Sequence, residues 1–371
     1  MRLPATLFAL ALLAGSACAE LSAESLDTAP IHWTIHGTPA AGRVQFEISR
    51  RAGGSSWMMG RTIDVATLQG LDPGQLAGEG GGPVRFRMAR DAGTLECDGV
   101  VRRGHGTGEC AFAADPAFAE ALAARGIGRP SASQQFSMAL NDIGLAYVAE
   151  LERLGYDRPR AGDLADAGNH GVTLDYLRSM AGHGYRVGSL ASLIRMRDHG
   201  VTPDYIAALA RHDVRDIAAD DVVRLRDHGV DAEFVGELRQ LGYRRLATDE
   251  MIQLRDHGVS AEYVRTLARN GISDIPPAEL ARMRDHGVTP EFVVALRGAG
   301  YRFGTEDIVR MRDHGVSESY VGELRRLGYA DLAADEIVRL RIHGVTADFI
   351  RDANRGGRRT PDELVRLRIG G

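Results

Sequence analysis

A histidine followed by a glycine returns at nearly constant spacing through the second half of the chain. The successive pairs stand 29, 29, 29, 29, 28 and 29 residues apart. Imidazole can bind a metal ion, exchange protons near neutral pH, or bond the free carbonyl groups at the end of a helix. The seven pairs are His170-Gly171, His199-Gly200, His228-Gly229, His257-Gly258, His286-Gly287, His314-Gly315 and His343-Gly344.

Helix capping is the interpretation that the pattern favours. A glycine permits the left-handed turn that closes a helix, and a histidine at the last helical position can bond unpaired carbonyls or, when protonated, favour the negative end of the helix dipole. An aspartate just before the histidine is poorly placed for that dipole, so we expect it to pair with arginines of the same or the next repeat. These aspartates are Asp198, Asp227, Asp256, Asp285 and Asp313.

A shared metal site is excluded by distance, and no cofactor is predicted. Stacked helices lie about 8–10 Å apart, whereas ligand nitrogens must converge on zinc at about 2.0–2.1 Å. An Asp-His pair within one repeat could hold only a weak surface ion. A row of exposed histidines could instead sense acid, because imidazole titrates near neutrality.

Motifs of catalysis are absent from the sequence. The chain has no His-Glu-x-x-His, no Gly-x-Ser-x-Gly and no phosphate-binding loop. The acid pairs Asp220-Asp221 and Asp249-Glu250 fall in predicted first turns of helices, where capping explains them. We therefore predict a protein that is not an enzyme.

The element that carries each His-Gly pair is a short helix within a helical hairpin. In the repeat that starts at Val288, Thr289 is a suitable N-cap and Pro290 suits the first helical position. A terminating Gly300 follows, and a second helix begins near Thr305 and ends at the His-Gly pair. Because a fixed period of this length is typical of solenoids, residues 141–371 are predicted to form an α-solenoid of about eight 29-residue helical-hairpin repeats.

A small antiparallel β domain is predicted before the repeats, so the fold class is α+β. Residues 31–36, 43–50 and 84–90 alternate apolar and polar side chains, as half-buried strands do, and a sandwich is one arrangement for them. Residues 71–83 are rich in glycine and proline and are predicted to be a loop. Cys97 and Cys110 flank a hairpin that turns near Arg103-Gly104, which predicts one disulfide; two free buried thiols are the alternative.

The first residues have the features of an export signal: Arg2, an apolar run, and the small residues Ala17 and Ala19 around Cys18. Cys18 is also a candidate for a lipid anchor, although Gly15 stands where a lipobox has an aliphatic residue. We predict a signal peptide (1–19), a β domain with one disulfide (20–115), a helical connector (116–140) and the solenoid. The location would be periplasmic or secreted, with no transmembrane segment.

The repeat text "HGVTPEFV", "LRGAGY" and "TEDIVRMRDHGV", with the upstream segment from Pro83 to Phe118, resembles a group of uncharacterised exported bacterial proteins that have a small β domain before tandem helical repeats. Similar repeats accompany membrane metallopeptidases of the β-lactam-sensing type. This chain lacks the metallopeptidase motif, so the resemblance implies a fold and an association with envelope signalling, but no catalytic residue.

The function expected from these features is an exported module for protein–protein interaction or scaffolding, with an unknown protein partner. A self-assembling envelope protein and an accessory of a membrane metallopeptidase are the alternatives. A net charge of −5 and 6% aromatic residues argue against nucleic acid as a partner. Two lines of arginines could form a recognition surface. One line comprises Arg197, Arg226, Arg255, Arg284, Arg312 and Arg341, and the other Arg195, Arg224, Arg282, Arg310 and Arg339.

Overall fold

The computed structural model describes residues 29–37, 42–52 and 55–370. The predicted signal peptide and Cys18 lie outside the described residues. The chain divides into two compact units, Met1–Asp198 and His199–Gly371. This division falls between two repeats, so the first unit contains the sheet together with the first helices, and the second unit contains helices alone.

The first unit contains one antiparallel sheet of six strands, which confirms the β part of the α+β fold and replaces the sandwich arrangement in the described part of the chain. The strand order is β3-β2-β1-β6-β5-β4. Every neighbouring pair is antiparallel. The strands are β1 (Ile31–His36), β2 (Arg43–Ala52), β3 (Ser55–Asp64), β4 (Gly82–Arg90), β5 (Gly93–Arg102) and β6 (His105–Ala114).

Strands β5 and β6 form the hairpin that the cysteine spacing predicts. Arg103 and Gly104 both have positive φ, at 51° and 80°, as a two-residue turn of the type that matches strand twist requires. Cys97 and Cys110 are direct cross-strand partners, and their sulfur atoms form a disulfide. The disulfide links β5 to β6, the two strands of this hairpin.

The inner face of the sheet is closed around Trp33, which is fully buried. Its indole N–H donates to the carbonyl of Asp98 at 3.1 Å, and its ring lies 4.9 Å from that of Phe86 in an edge-on arrangement. Gly99 and Gly108 face each other across β5 and β6 at this point. A side chain at either position would overlap the indole and the backbone of the partner strand, so both glycines serve close packing.

Helices of the first unit cover the sheet and then begin the repeats. The residues 73–77 form a short helix within the segment predicted to be a loop, because Asp72 caps it through the N–H of Gly74. Phe136, in the predicted connector, lies 5.3 Å from Phe112 and 5.9 Å from Trp57, so the connector belongs to the core beneath the sheet. These helices are α1 (Pro73–Ala77), α2 (Pro116–Ala124), α3 (Ala132–Asn141), α4 (Leu145–Leu154), α5 (Ala161–Asn169), α6 (Leu174–Gly182) and α7 (Leu190–Asp198).

Six further helix pairs make up the second unit. With α4–α5 and α6–α7 of the first unit they give eight helical hairpins, as the period predicts. The helices are α8 (Pro203–Ala210), α9 (Ala219–Asp227), α10 (Ala232–Gln240), α11 (Thr248–Asp256), α12 (Ala261–Arg269), α13 (Pro277–Asp285), α14 (Pro290–Gly298), α15 (Thr305–Asp313), α16 (Glu318–Arg326), α17 (Ala334–Ile342), α18 (Ala347–Ala353) and α19 (Pro361–Gly370).

Within the second unit each helix packs on its counterpart in the next repeat, so two parallel rows form. Thus α9 contacts α11, and α12 contacts both α10 and α14. In the hairpins from α8–α9 to α16–α17 the buried residues are the valine after each His-Gly pair, an aromatic residue and a leucine of the first helix, and at least three apolar residues of the second helix. Helices of about nine residues are marginally stable alone, so their stability depends on this stacking.

Caps at both ends of the helices follow the repeated residues. Thr289 accepts a hydrogen bond from the N–H of Phe292 at 3.2 Å, which is the predicted N-cap. At the other end the glycine of each of the seven pairs has φ between 66° and 71°, and the C-caps include His170, His228, His257, His286, His314 and His343. The N–H of Val230 donates a hydrogen bond to the carbonyl of Leu225, and the N–H of Gly229 donates one to the carbonyl of Arg226. These two hydrogen bonds are those of a Schellman motif.

The contact between the glycines and Trp33 predicts the effect of one substitution. Gly108→Ala forces a methyl group against the indole and the carbonyl of Asp98, so it should lower the free energy of unfolding of the first unit by about 1–3 kcal/mol. Gly80→Ala is the control, because a Cβ there meets no atom within 4 Å. Urea denaturation followed by tryptophan fluorescence measures both, since Trp33 and Trp57 are the only tryptophans of the chain. Equal midpoints for the two variants would contradict the packing argument.

Candidate functional site

The histidines of the His-Gly pairs contact aspartates of the following repeat. His170 Nδ1 lies 2.8 Å from Asp198 Oδ1 in the first unit. The second unit repeats this geometry four times, at 2.6–2.8 Å. We call these five contacts the His–Asp rungs. The four in the second unit are His199–Asp227, His228–Asp256, His257–Asp285 and His286–Asp313.

Two expectations about these residues are corrected by the rungs. The aspartates pair with histidines and not with arginines, and the imidazole Nδ1 atoms bond carboxylates and not the carbonyls of their own helix. The physical reason is the register of stacking. Since equivalent helices lie side by side, the aspartate one position before a histidine reaches the histidine of the preceding repeat. Both side chains stay 37–49% exposed, so each rung contributes little energy by itself and mainly favours the register.

The series of rungs ends where the sequence changes. Ile342 stands at the position of the aspartate in the seventh hairpin and Ile369 at that of the eighth. His314 and His343 therefore have no carboxylate partner within the described part of the chain. The two isoleucines are 57% and 66% exposed, which is unusual for apolar side chains of this size.

Restoring the missing carboxylate tests the rung interaction. Ile342→Asp should place a carboxylate within reach of His314, as Asp313 is placed beside His286. A double-mutant cycle with His314→Gln should give a favourable coupling free energy of about 0.3–1 kcal/mol at low ionic strength. Chemical denaturation followed by circular dichroism measures the four proteins. Ile342→Asn supplies the uncharged control. A coupling energy of zero would show that the rungs do not hold the repeats in register.

The first arginine line, predicted as a recognition surface, is used for contacts between helices. Each guanidinium lies over an aromatic ring of the first helix in its own hairpin, with the carbon 4.9–5.5 Å from the ring centroid, a distance at which cation–π attraction operates. The six pairs are Arg197–Tyr176, Arg226–Tyr205, Arg255–Phe234, Arg284–Tyr263, Arg312–Phe292 and Arg341–Tyr320.

Arginines of this line also bond the helix end of the preceding repeat. Arg312 Nε donates to the carbonyl of Gly287 at 2.9 Å, and Arg341 Nε donates to that of Gly315 at 2.8 Å. The unpaired carbonyls at the helix end thus accept from an arginine of the next repeat, where a histidine ring was expected. In Arg312 and Arg341 the guanidinium is therefore engaged on both its face and its edge, and little of it is left for a partner protein.

The second arginine line forms ion pairs along the outer surface of the second helices. Arg224 contacts Asp221 in its own helix at 3.0 Å and Asp249 in the next repeat at 2.5 Å. Arg310 is placed equivalently between Asp307 and Asp335, both at 2.7 Å. Arg282 pairs with Glu279 and Arg339 with Asp362. These exposed ion pairs neutralise the charges of the four arginines.

A basic pocket in the second unit was missed by the sequence patterns. It has a volume of about 410 Å³ and lies between the loop that follows α8 and the loop that follows α10. Arg215, Arg239, Arg244 and Arg245 line it, together with Asp213, Asp216 and Asp221. Its apolar wall includes Val235 and Met251. The only sequence signal was the doubled arginine at 244–245; its counterpart in the last repeat, Arg358-Arg359, is bonded to Asp331 and to the carbonyl of Ala353.

Some of the charged side chains that line this pocket form ion pairs, and others do not. Arg239 forms an ion pair with Asp213 at 2.7 Å, and Asp221 forms one with Arg224. Arg215 donates only to the carbonyl of Ala210. The guanidinium groups of Arg244 and Arg245 are exposed and form neither an ion pair nor a hydrogen bond within the part of the chain that the structure describes. Two arginines thus remain available to an external carboxylate or phosphate.

A second polar cleft, of about 690 Å³, joins the sheet to the helices of the first unit. Arg61 lies in it and donates to the carbonyl of Leu140 at 3.1 Å and to Asn141. Burial lowers the pKa of this guanidinium, and the charge of Asp142 opposes that effect. Arg90 contacts Asp142 at 3.3 Å. Since these arginines contact groups of the chain itself, they hold the sheet to the helices and are not free to bind a ligand in the cleft.

Two findings bear on cofactors and membranes. Among the described residues, no group of three or more His, Cys, Asp or Glu side chains is arranged to hold a metal ion. No helix within the same residues is both long and apolar enough to span a bilayer. No family model, no curated protein and no solved structure matches the chain, so the function must be argued from the geometry.

Proposed function

We propose that this protein is an exported, non-catalytic interaction module whose helical repeats bind an acidic segment of a partner protein at the basic pocket. The observation that carries the proposal is the pair Arg244 and Arg245, exposed and unbonded beside a pocket between two repeats. By contrast, the arginines of the first predicted line lie over aromatic rings, and Arg224, Arg282, Arg310 and Arg339 of the second line pair with carboxylates.

The stacking of the repeats supports a binding role. His–Asp rungs and tyrosine hydroxyls join one repeat to the next, and arginine–aromatic contacts join the two helices of one hairpin; for example, Tyr205 donates to the carbonyl of Val230 at 2.7 Å and Tyr320 to that of Val345 at 2.8 Å. A scaffold fixed by such contacts holds a pocket between its loops in one shape. A preorganised site loses less entropy when a partner binds.

The chemistry of the pocket supports a carboxylate-bearing ligand. A guanidinium presents its donors in a planar fork that matches a carboxylate. Ile217, Leu246 and Met251 add an apolar surface beside the charges, so an acidic segment that also carries an apolar side chain would suit the site. The neighbouring Asp216 favours ligands that approach from the side of Arg244 and Arg245.

Export is part of the proposal and rests on two features. The first residues have the composition of a signal peptide, and the Cys97–Cys110 disulfide is typical of proteins that fold in an oxidising compartment. The partner would then be a periplasmic or extracellular protein.

Charge reversal at the pocket tests the proposed function. The variant Arg244→Glu/Arg245→Glu should lose binding of a fluorescent hexaglutamate peptide with a terminal leucine by roughly tenfold or more, because attraction becomes repulsion. Fluorescence anisotropy at low salt measures the affinity. The control is Arg325→Glu/Arg326→Glu, which makes the same change in net charge on exposed positions of α16.

The same three proteins should then be used to capture partners from a periplasmic extract. We expect a protein that the wild type and the α16 variant retain and the pocket variant does not. Equal peptide affinity for the two variants would contradict the pocket assignment. Light scattering that shows concentration-dependent assembly, with no captured partner, would favour the self-assembling envelope protein instead.

A further inference from the structure

Two histidines lie side by side on the outer face of the sheet. His36 ends β1, His105 begins β6, and the two are direct cross-strand partners. Their Nδ1 atoms are 3.0 Å apart, and their rings meet edge to face with centroids 5.2 Å apart. Both side chains are exposed. At this distance at most one proton can lie between the two nitrogens, so at least one of them presents a lone pair.

We propose that His36 and His105 bind a divalent transition-metal ion, with copper(II) preferred. Two nitrogens 3.0 Å apart that each lie about 2.0–2.1 Å from one ion subtend an angle of about 90–97° at that ion. This is close to the right angle between neighbouring ligands of tetragonal copper(II) and smaller than the tetrahedral angle, about 109°, that zinc adopts in proteins. Copper(II) is also the ion that imidazole binds most tightly in the divalent series.

The backbone around the pair is held in place, so that binding requires only side-chain rotation. The N–H of Gly37 donates to the carbonyl of Gly104 at 3.0 Å, immediately beside the two histidines. The turn at Arg103-Gly104 and the Cys97–Cys110 disulfide fix β6 on its other side. Because Cys97 and Cys110 are oxidised, neither of these two sulfur atoms competes for the ion or reduces it.

The surroundings leave coordination positions open. A concavity of about 610 Å³ adjoins the pair and is lined by Gly81, Val100, Thr107 and other small residues. Water or a small ligand can therefore complete the coordination sphere. Arg102, the cross-strand partner of His105, lines the same concavity; its charge opposes binding of a cation, and its exposure allows it to turn into solvent.

Other histidines of the chain differ from this pair in a way that supplies controls. His32 lies on the same face of β1, but its partner across the strands is Glu109, 3.8 Å away. In the five His–Asp rungs the Nδ1 atom already contacts a carboxylate. His36 and His105 are thus the pair in the described residues whose ring nitrogens face each other directly.

Titration of the untagged, metal-free, full-length protein with copper(II) tests the proposal. Isothermal calorimetry in a weakly competing buffer should show one tightest site per chain, and zinc should bind about tenfold or more weakly. The electron paramagnetic resonance spectrum of the copper(II) protein should be axial, with hyperfine splitting from two imidazole nitrogens. Zinc binding as tight as copper binding would overturn the geometric argument.

Three variants locate the site. His36→Ala and His105→Ala should each weaken copper(II) binding about tenfold or more, because one imidazole alone remains, whereas His32→Ala should leave the affinity unchanged. Tryptophan fluorescence verifies that the sheet of each variant is folded. Unchanged affinity in the first two variants, or an equal loss in all three, would overturn the assignment, as would a wild-type spectrum without nitrogen coupling. These outcomes are independent of the peptide experiment at the basic pocket.

Discussion

The structure of the repeats depends on one constraint: a helix of nine residues cannot bury its own apolar side. Each helix leaves a valine, leucine or aromatic side chain that only the next repeat can cover, and the same positions are buried in the hairpins from α8–α9 to α16–α17. The polar residues of the repeat serve this constraint. Histidine, aspartate and arginine act between repeats, where they add modest energy and a defined register. Histidine, aspartate and arginine, whose chemistry suggests a reactive site, therefore serve to hold the repeats together.

Much of this could be predicted from local sequence. The N-cap Thr289, the terminating Gly300 and the helix end at His314-Gly315 follow from preferences that act within one turn. The hairpin at Arg103-Gly104 and its disulfide follow from alternation and cysteine spacing. Partners that lie 28 residues apart, such as His228 and Asp256, could not be identified, because spacing shows that helices repeat and does not show which faces meet.

The sites that bear on function were the least predictable. The basic pocket forms where two loops from successive hairpins meet, so Arg215 and Arg245 are distant in sequence and no motif connects them. His36 and His105 are 69 residues apart and become neighbours only because β6 returns beside β1. The predicted arginine lines were visible because they are periodic, and periodicity marks the positions that the repeat itself needs. Departures from the period, such as Ile342, are the better signal of a specific role.

Hydrogen exchange in a core variant tests most directly whether the repeats are stable only as a stack. Leu267 is fully buried in α12, which contacts α10 and α14, and Leu267→Ala should cost about 2–5 kcal/mol. Arg269→Ala, at an exposed position of the same helix, is the control. Peptide-resolved mass spectrometry should show faster exchange in α10 and α14 as well as in α12 for the Leu267 variant, and no change for the control. Faster exchange confined to α12 would show that each hairpin is stable alone and would contradict the account.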